Sequence, residues 1–207
     1  MFEIPNGDDV RSRYLTYEQM NLINAFRRIS MNAAIFGRLM LDCMIRDSPC
    51  FEAAYSRLLQ VSYDTFRIFS NYYSEDDSEK LYGLMMQDYI LMKRLVESLV
   101  AKDEQAAADT MQLWRENISK IADQYAMMNP YWTKEQWETL LSRNLQLVYQ
   151  QILALFADDC PRAFNIFDRI KSLSILIGDY QARGIMQNLV PPSINSNPNL
   201  ESHWHIN

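Results

Sequence analysis

Apolar residues recur along most of the chain at spacings of three and four, the period of a helix that buries one face. Start and stop signals divide the pattern into six stretches. Thr16-Tyr17-Glu18-Gln19 has the layout of a capping box, in which the Thr hydroxyl accepts a backbone N–H and the Gln side chain reaches back to the cap residue. A first helix opens there and runs to about Arg46. Ser48-Pro49 offers a cap followed by proline at the first helical position, where no N–H is missed, and predicts a second helix from Pro49 to Asn71. Glu75, Asp76, Asp77 and Glu79 suit the positive end of a third helix that closes near Ala101, and Asp103 caps a fourth reaching about Met127. Asn129-Pro130 breaks the pattern, and Thr133-Lys134-Glu135-Gln136 repeats the capping box before a fifth helix to Ala157. Asp159-Cys160-Pro161 opens a sixth, which ends by Leu189 ahead of Pro191-Pro192. No run alternates with the period of two of a half-buried strand, so no sheet is expected. Short connections make successive helices antiparallel neighbours. The expected fold is an all-α antiparallel bundle of about six helices over residues 16–189, between an N-terminal arm (1–15) and a flexible C-terminal tail (190–207).

Two of the apolar stripes carry a polar residue at mid-length. In the third helix the stripe reads Leu81, Leu84, Met85, Asp88, Leu91, Leu95, Leu99; in the fifth it reads Trp137, Leu140, Leu141, Asn144, Leu147, Val148, Ile152, Leu155. An offset of 56 residues relates Asp88 to Asn144, and also Leu84 to Leu140, Leu91 to Leu147 and Leu99 to Leu155. This is the signature of an internal duplication of a two-helix unit. It would pair helix two with helix four, each leading onward through an aromatic dipeptide, Tyr72-Tyr73 or Tyr131-Trp132. A buried carboxylate costs on the order of several kcal/mol unless it is paired, protonated or metal-bound, so Asp88 requires a partner. Either Asp88, Asn144 and Asp179 converge in the core as ligands from facing helices do, or Asp88 and Asn144 bond to each other, or to Arg38 or Arg183, and set helix register. On the register reading, leucine at position 88 leaves stability unchanged or raised.

Composition narrows the function classes. Hydrophobic residues make up 48% and charged residues 22%, with 5 Gly and 7 Pro, which is the composition of an ordered globular body. A net charge of −6 with no stripe of Lys and Arg argues against a nucleic-acid partner. The most apolar windows, Leu145 to Phe156 and Leu173 to Ile177, are broken well short of the roughly 20 residues that cross a bilayer, so no membrane span is expected. Met1 to Asp9 lacks the basic-then-apolar layout of a secretory signal, and a cytoplasmic location is expected. Cys43, Cys50 and Cys160 lack metal or redox spacing and read as small buried thiols in a reducing compartment. The two histidines, His203 and His205, both fall on the tail, so neither Ser-His-Asp nor Cys-His chemistry can be assembled in the body. Met85-Met86, Met92 and Met127-Met128 fill the core or line an adaptable apolar pocket.

Leu113-Trp114-Arg115-Glu116-Asn117, Asn129-Pro130-Tyr131-Trp132 with Trp137, and Gly178-Asp179-Tyr180 through Arg183-Gly184-Ile185-Met186 resemble motifs of a family of helical-bundle proteins from Gram-positive bacteria. The resemblance extends more weakly over residues 22–189, including Arg38, Arg57-Leu58-Leu59, Asp64 and Tyr72-Tyr73. Some members carry the label acetylglutamate kinase. The family pattern implies His on the first, third and fifth helices and Asp on the last, a donor set suited to a core metal. Here those positions read Ala33, Asp88, Asn144 and Asp179, so every histidine is replaced. What remains suits at most a hard, oxygen-preferring divalent cation, with Asp88 and Asp179 as its candidate ligands. The kinase label is disfavoured, because phosphoryl transfer needs a phosphate-cradling loop and the chain has no glycine-rich segment to form one.

The expected function is that of a non-enzymatic helical-bundle protein that binds a small ligand or a partner chain, with no cofactor. The alternative is a metal-binding protein or metal-dependent enzyme with a degenerate core site built on Asp88, Asn144, Asp179 and Arg38. A homo-oligomeric role would show as a further exposed apolar stripe on the first or sixth helix.

Overall fold

The computed structural model describes residues 15–189, and all of the regular structure in that span is helical. The helices are α1 (Tyr17–Ile45), α2 (Phe51–Phe69), α3 (Glu75–Val100), α4 (Glu104–Met128), α5 (Lys134–Phe156) and α6 (Cys160–Leu189). Most of the N-terminal arm, and the whole C-terminal tail with His203 and His205, lie outside the described residues.

The caps follow the local chemistry. Thr16 and Gln19 form the reciprocal box, with Thr16 Oγ1 accepting from Gln19 N at 3.2 Å and Gln19 Oε1 accepting from Thr16 N at 2.9 Å. Ser74, Asp103 and Thr133 each accept one first-turn N–H at 3.0–3.2 Å. Only the Thr half of the expected second box is present at Thr133. Helix α2 begins at Phe51 rather than Pro49, because Pro49 and Cys50 are spent on a turn in which Phe51 N donates to Ser48 O.

Three of the five connections share one geometry. Asp47, Lys102 and Asp158 adopt left-handed φ angles of 51°, 56° and 51°, and the next residue's N–H reaches back five positions, to Cys43 O, Ser98 O and Ala154 O respectively. This is the turn that glycine normally supplies at a helix C-terminus, here made by residues that carry a Cβ. The three residues recur 55 and 56 residues apart, each joining an odd-numbered helix to the next.

Successive helices pack on one another, and α6 returns to α1 to close a ring; α1 also touches α3 and α5. Phe26, Met40, Leu58, Phe69, Leu81, Leu95, Ile152 and Ile185 lie fully inside the shared core. One end is locked by aromatic rings: Phe69, Tyr73, Tyr125, Trp132, Trp137 and Tyr180 form a continuous cluster in which Tyr125 and Trp137 stack at 3.8 Å. Three of the rings have their polar edges satisfied across the bundle, whereas Trp137 Nε1 is buried without a hydrogen-bond partner. Gln181 donates to Tyr125 OH at 2.7 Å, Asn129 donates to Tyr73 OH at 2.7 Å, and Trp132 Nε1 donates to Tyr180 O at 3.0 Å. Two glycines of α6 make this closeness possible. A Cβ on Gly184 would stand 1.9 Å from Trp132 Nε1, and one on Gly178 would stand 2.9 Å from the α1 backbone at Phe26 and Arg27.

Candidate functional site

Ala33, Asp88 and Asn144 occupy the core-facing stripes of α1, α3 and α5, at the same 55- and 56-residue spacing as the three left-handed turns. Asp179 does not join them. It stands toward the outer edge of α6, where its carboxylate accepts from Arg27 Nε at 2.5 Å and Arg27 Nη2 at 2.8 Å, a bidentate pair linking the first and last helices. The pair is partly open to water, with side-chain exposures of 44% for Arg27 and 23% for Asp179, which limits its contribution to about 1 kcal/mol or less.

Asp88 is served by α4. Trp114 Nε1 donates to Asp88 Oδ1 at 2.6 Å, and Asn117 both hydrogen-bonds the carboxylate and donates to Leu84 O at 3.0 Å. Trp114 and Asn117 are three apart and so share the face that α4 turns to α3. Burial pushes the Asp88 carboxyl up to about 6, and the two hydrogen bonds only partly oppose the shift. The neighbouring Tyr89 hydroxyl is raised far above its ordinary value, again chiefly by burial and then by the Asp88 charge.

Arg38 is directed to its own helix: its Nε donates to Asp42 at 2.7 Å, its guanidinium lies 5.6 Å from the Phe164 ring centroid, and Nη1 is buried without a hydrogen-bond partner. Among the described residues, no hydrogen bond joins Asp88, Asn144, Asp179 and Arg38 to one another, and no group of three or more His, Cys, Asp or Glu gathers. Asp88 therefore meets its need for a partner through an indole and an amide, which are different groups from those its sequence context suggested. The hairpin turn at Ala101–Asp103 carried the missing signal, since folding α4 back on α3 about that turn brings residues 114–117 level with residue 88.

The outer surface offers two shallow concavities of about 370 and 240 Å³ side by side in the α5–α6 groove, both bordered by Arg143 and Arg169. Apolar side chains are exposed on α1 and on the adjoining edge of α6: Ile35 (38%), Leu39 (45%), Phe164 (60%) and Ile175 (36%). The cysteines differ from expectation. Cys50 and Cys160 are exposed because each sits at a helix start, outside the apolar stripe, while Cys43 is half-buried; all three are free thiols. No helix among the described residues is long and apolar enough to cross a membrane. Comparison with known proteins finds no matching family model, curated protein or solved structure.

Proposed function

We propose that this chain is a non-enzymatic helical-bundle protein that binds a partner chain through the outward face of α1 and the α6 edge beside it. The carrying observation is the exposure of Ile35, Leu39, Phe164 and Ile175 on two helices in contact. Such a patch rimmed by charge is the usual mark of a protein-binding surface. The polar residues that could have served a ligand instead are already engaged: Asp88 by Trp114 and Asn117, Asp179 by Arg27, and Arg38 by Asp42. A metal-dependent role would have to free Asp88 and Asp179 from those donors. Kinship with the Gram-positive helical family belongs to the same proposal. So does descent from a repeated helical hairpin, supported by the shared turn geometry and by the equal spacing of Ala33, Asp88 and Asn144.

A photo-crosslinking residue placed at Leu39 should give a protein adduct in cells, whereas the same residue at Gln150 in the α5–α6 groove should give none. Adducts from Gln150 alone would move the binding surface to the other flank of α6 and overturn this reading.

A further inference from the structure

The outward stripe of α1 reads Asn24, Arg28, Met31, Ile35, Leu39, Asp42, directly opposite the buried residues Phe26, Gly37 and Met40. Its pattern is symmetric about Ile35. Four residues to either side stand Met31 and Leu39, and seven residues to either side stand Arg28 and Asp42. A helix with an apolar centre, a cation at one end and an anion at the same distance on the other complements itself when turned end for end. Accepting that this face binds a protein chain, we propose that its occupant is a second copy of this chain, seated so that the two α1 helices run antiparallel and cross at Ile35.

In that arrangement Ile35 lies on the two-fold axis, Met31 packs on Leu39 of the second copy, and Arg28 meets Asp42 of the second copy at both ends. Arg28 is exposed, and Asp42 commits only Oδ2 to Arg38, which leaves Oδ1 as an acceptor. The stripe from Asn24 to Asp42 is about 27 Å long, enough for an isologous helix pair.

The adjoining helix fits the same axis without adjustment. The Arg27–Asp179 pair and the Arg38–Phe164 contact set the antiparallel register of α1 and α6 and bring residue 169 level with Ile35. A two-fold axis across the α1 pair keeps both α6 helices on one side of it. Phe164 lies five residues from that level in one direction and Ile175 six in the other, so Phe164 of one copy comes level with Ile175 of the second. Both are exposed on the α1 side of α6. The central apolar pair and the flanking pair are therefore self-complementary about a single axis, and together they widen the contact toward that of a standard interface.

Sedimentation equilibrium of the full chain at about 50 μM should give twice the 24.4 kDa chain mass. Ile35→Glu should raise the dissociation constant on the order of 30-fold or more, with no change in the circular-dichroism melt of the monomer. Arg28→Asp and Asp42→Arg should each weaken the dimer, and the double variant should restore it, because exchanged charges still pair across the axis. Ile35→Cys, with the three native cysteines changed to alanine, should give a disulfide-linked dimer under mild oxidation. A parent that stays at 24.4 kDa, or a dimer indifferent to Ile35→Glu and to the charge exchange, overturns the proposal. In the first case, adducts to another protein from Leu39 would preserve the partner-binding reading, and absence of any adduct would remove both.

Discussion

Replacing Asp88 by asparagine tests what the α3–α4 contact does with a half-buried charge. The folded carboxyl titrates near 6 against an ordinary value of 3.8, so the fold favours the protonated form. A raised acid contributes stability that is fully present below 3.8 and is lost as pH rises through about 6. At 1.36 kcal/mol per unit, the ionised carboxylate costs the fold about 3 kcal/mol at pH 7.5 and about half that at pH 5. Asparagine keeps an oxygen for Trp114 Nε1 and carries no charge, so Asp88→Asn should be more stable than the parent by about 1–3 kcal/mol at pH 7.5, the gain shrinking as pH falls. Urea unfolding of both proteins at pH 7.5 and 5 reads this as a midpoint difference of about 1 M that narrows with acidification. Comparing the two proteins at each pH cancels the titration of all other groups. Leucine at the same position removes the charge but leaves the buried Trp114 N–H without its acceptor, costing about 1–3 kcal/mol, so it should fall below asparagine. A parent–asparagine difference that does not vary with pH, or a leucine variant more stable than the asparagine one, would refute the argument.

Other outcomes follow from the packing. Gly184→Ala should lose about 3 kcal/mol and perturb the near-ultraviolet tryptophan signal, because its Cβ enters the Trp132 ring; Gly83→Ala on α3, with no atom within 4 Å, should gain up to about 1 kcal/mol from helix propensity. Lys102→Gly should stabilise by about 0.5–1 kcal/mol, read as a higher unfolding midpoint, since Lys102 holds a left-handed φ of 56° that costs a Cβ-bearing residue. A double-mutant cycle on Arg27 and Asp179 should give a coupling of about 1 kcal/mol or less that weakens in 1 M salt. Elemental analysis after dialysis against mixed divalent metals should find no stoichiometric metal in the parent or in Asp179→Ala, because Arg27 holds the Asp179 carboxylate and Trp114 holds that of Asp88.

The helices and most of their ends were legible because helix signals are local. Thr16, Asp103 and Thr133 cap with their own side chains, so a few neighbouring residues specify each start. Pro49 misled for a related reason: Ser48 and Pro49 look like a cap and first turn, yet the left-handed Asp47 just before them turns the chain and spends both on the corner. That Asp88 would need a partner was readable from its stripe, although the residue is half-buried rather than fully enclosed, and the partner's identity needed the α3–α4 hairpin as well. The Arg27–Asp179 pair spans 152 residues and joins the two ends of the ring, so no local pattern announces it. Exposure of Cys50 and Cys160 was masked by composition, since cysteine beside an apolar stripe reads as core until the helix start is placed.

The return of α6 onto α1 has a consequence for synthesis. The first of the six described helices finds its most extensive partner in the last, the 30-residue α6. Hairpins α1–α2 and α3–α4 can form as they appear, but the flank of α1 that meets Gly178, Asp179 and Phe164 stays uncovered until residues past Cys160 have been made. Completion of the bundle thus waits on synthesis of its last helix. A stalled or truncated nascent chain lacking α6 would present a sticky apolar helix at its N-terminal end and become a client for chaperones or proteases.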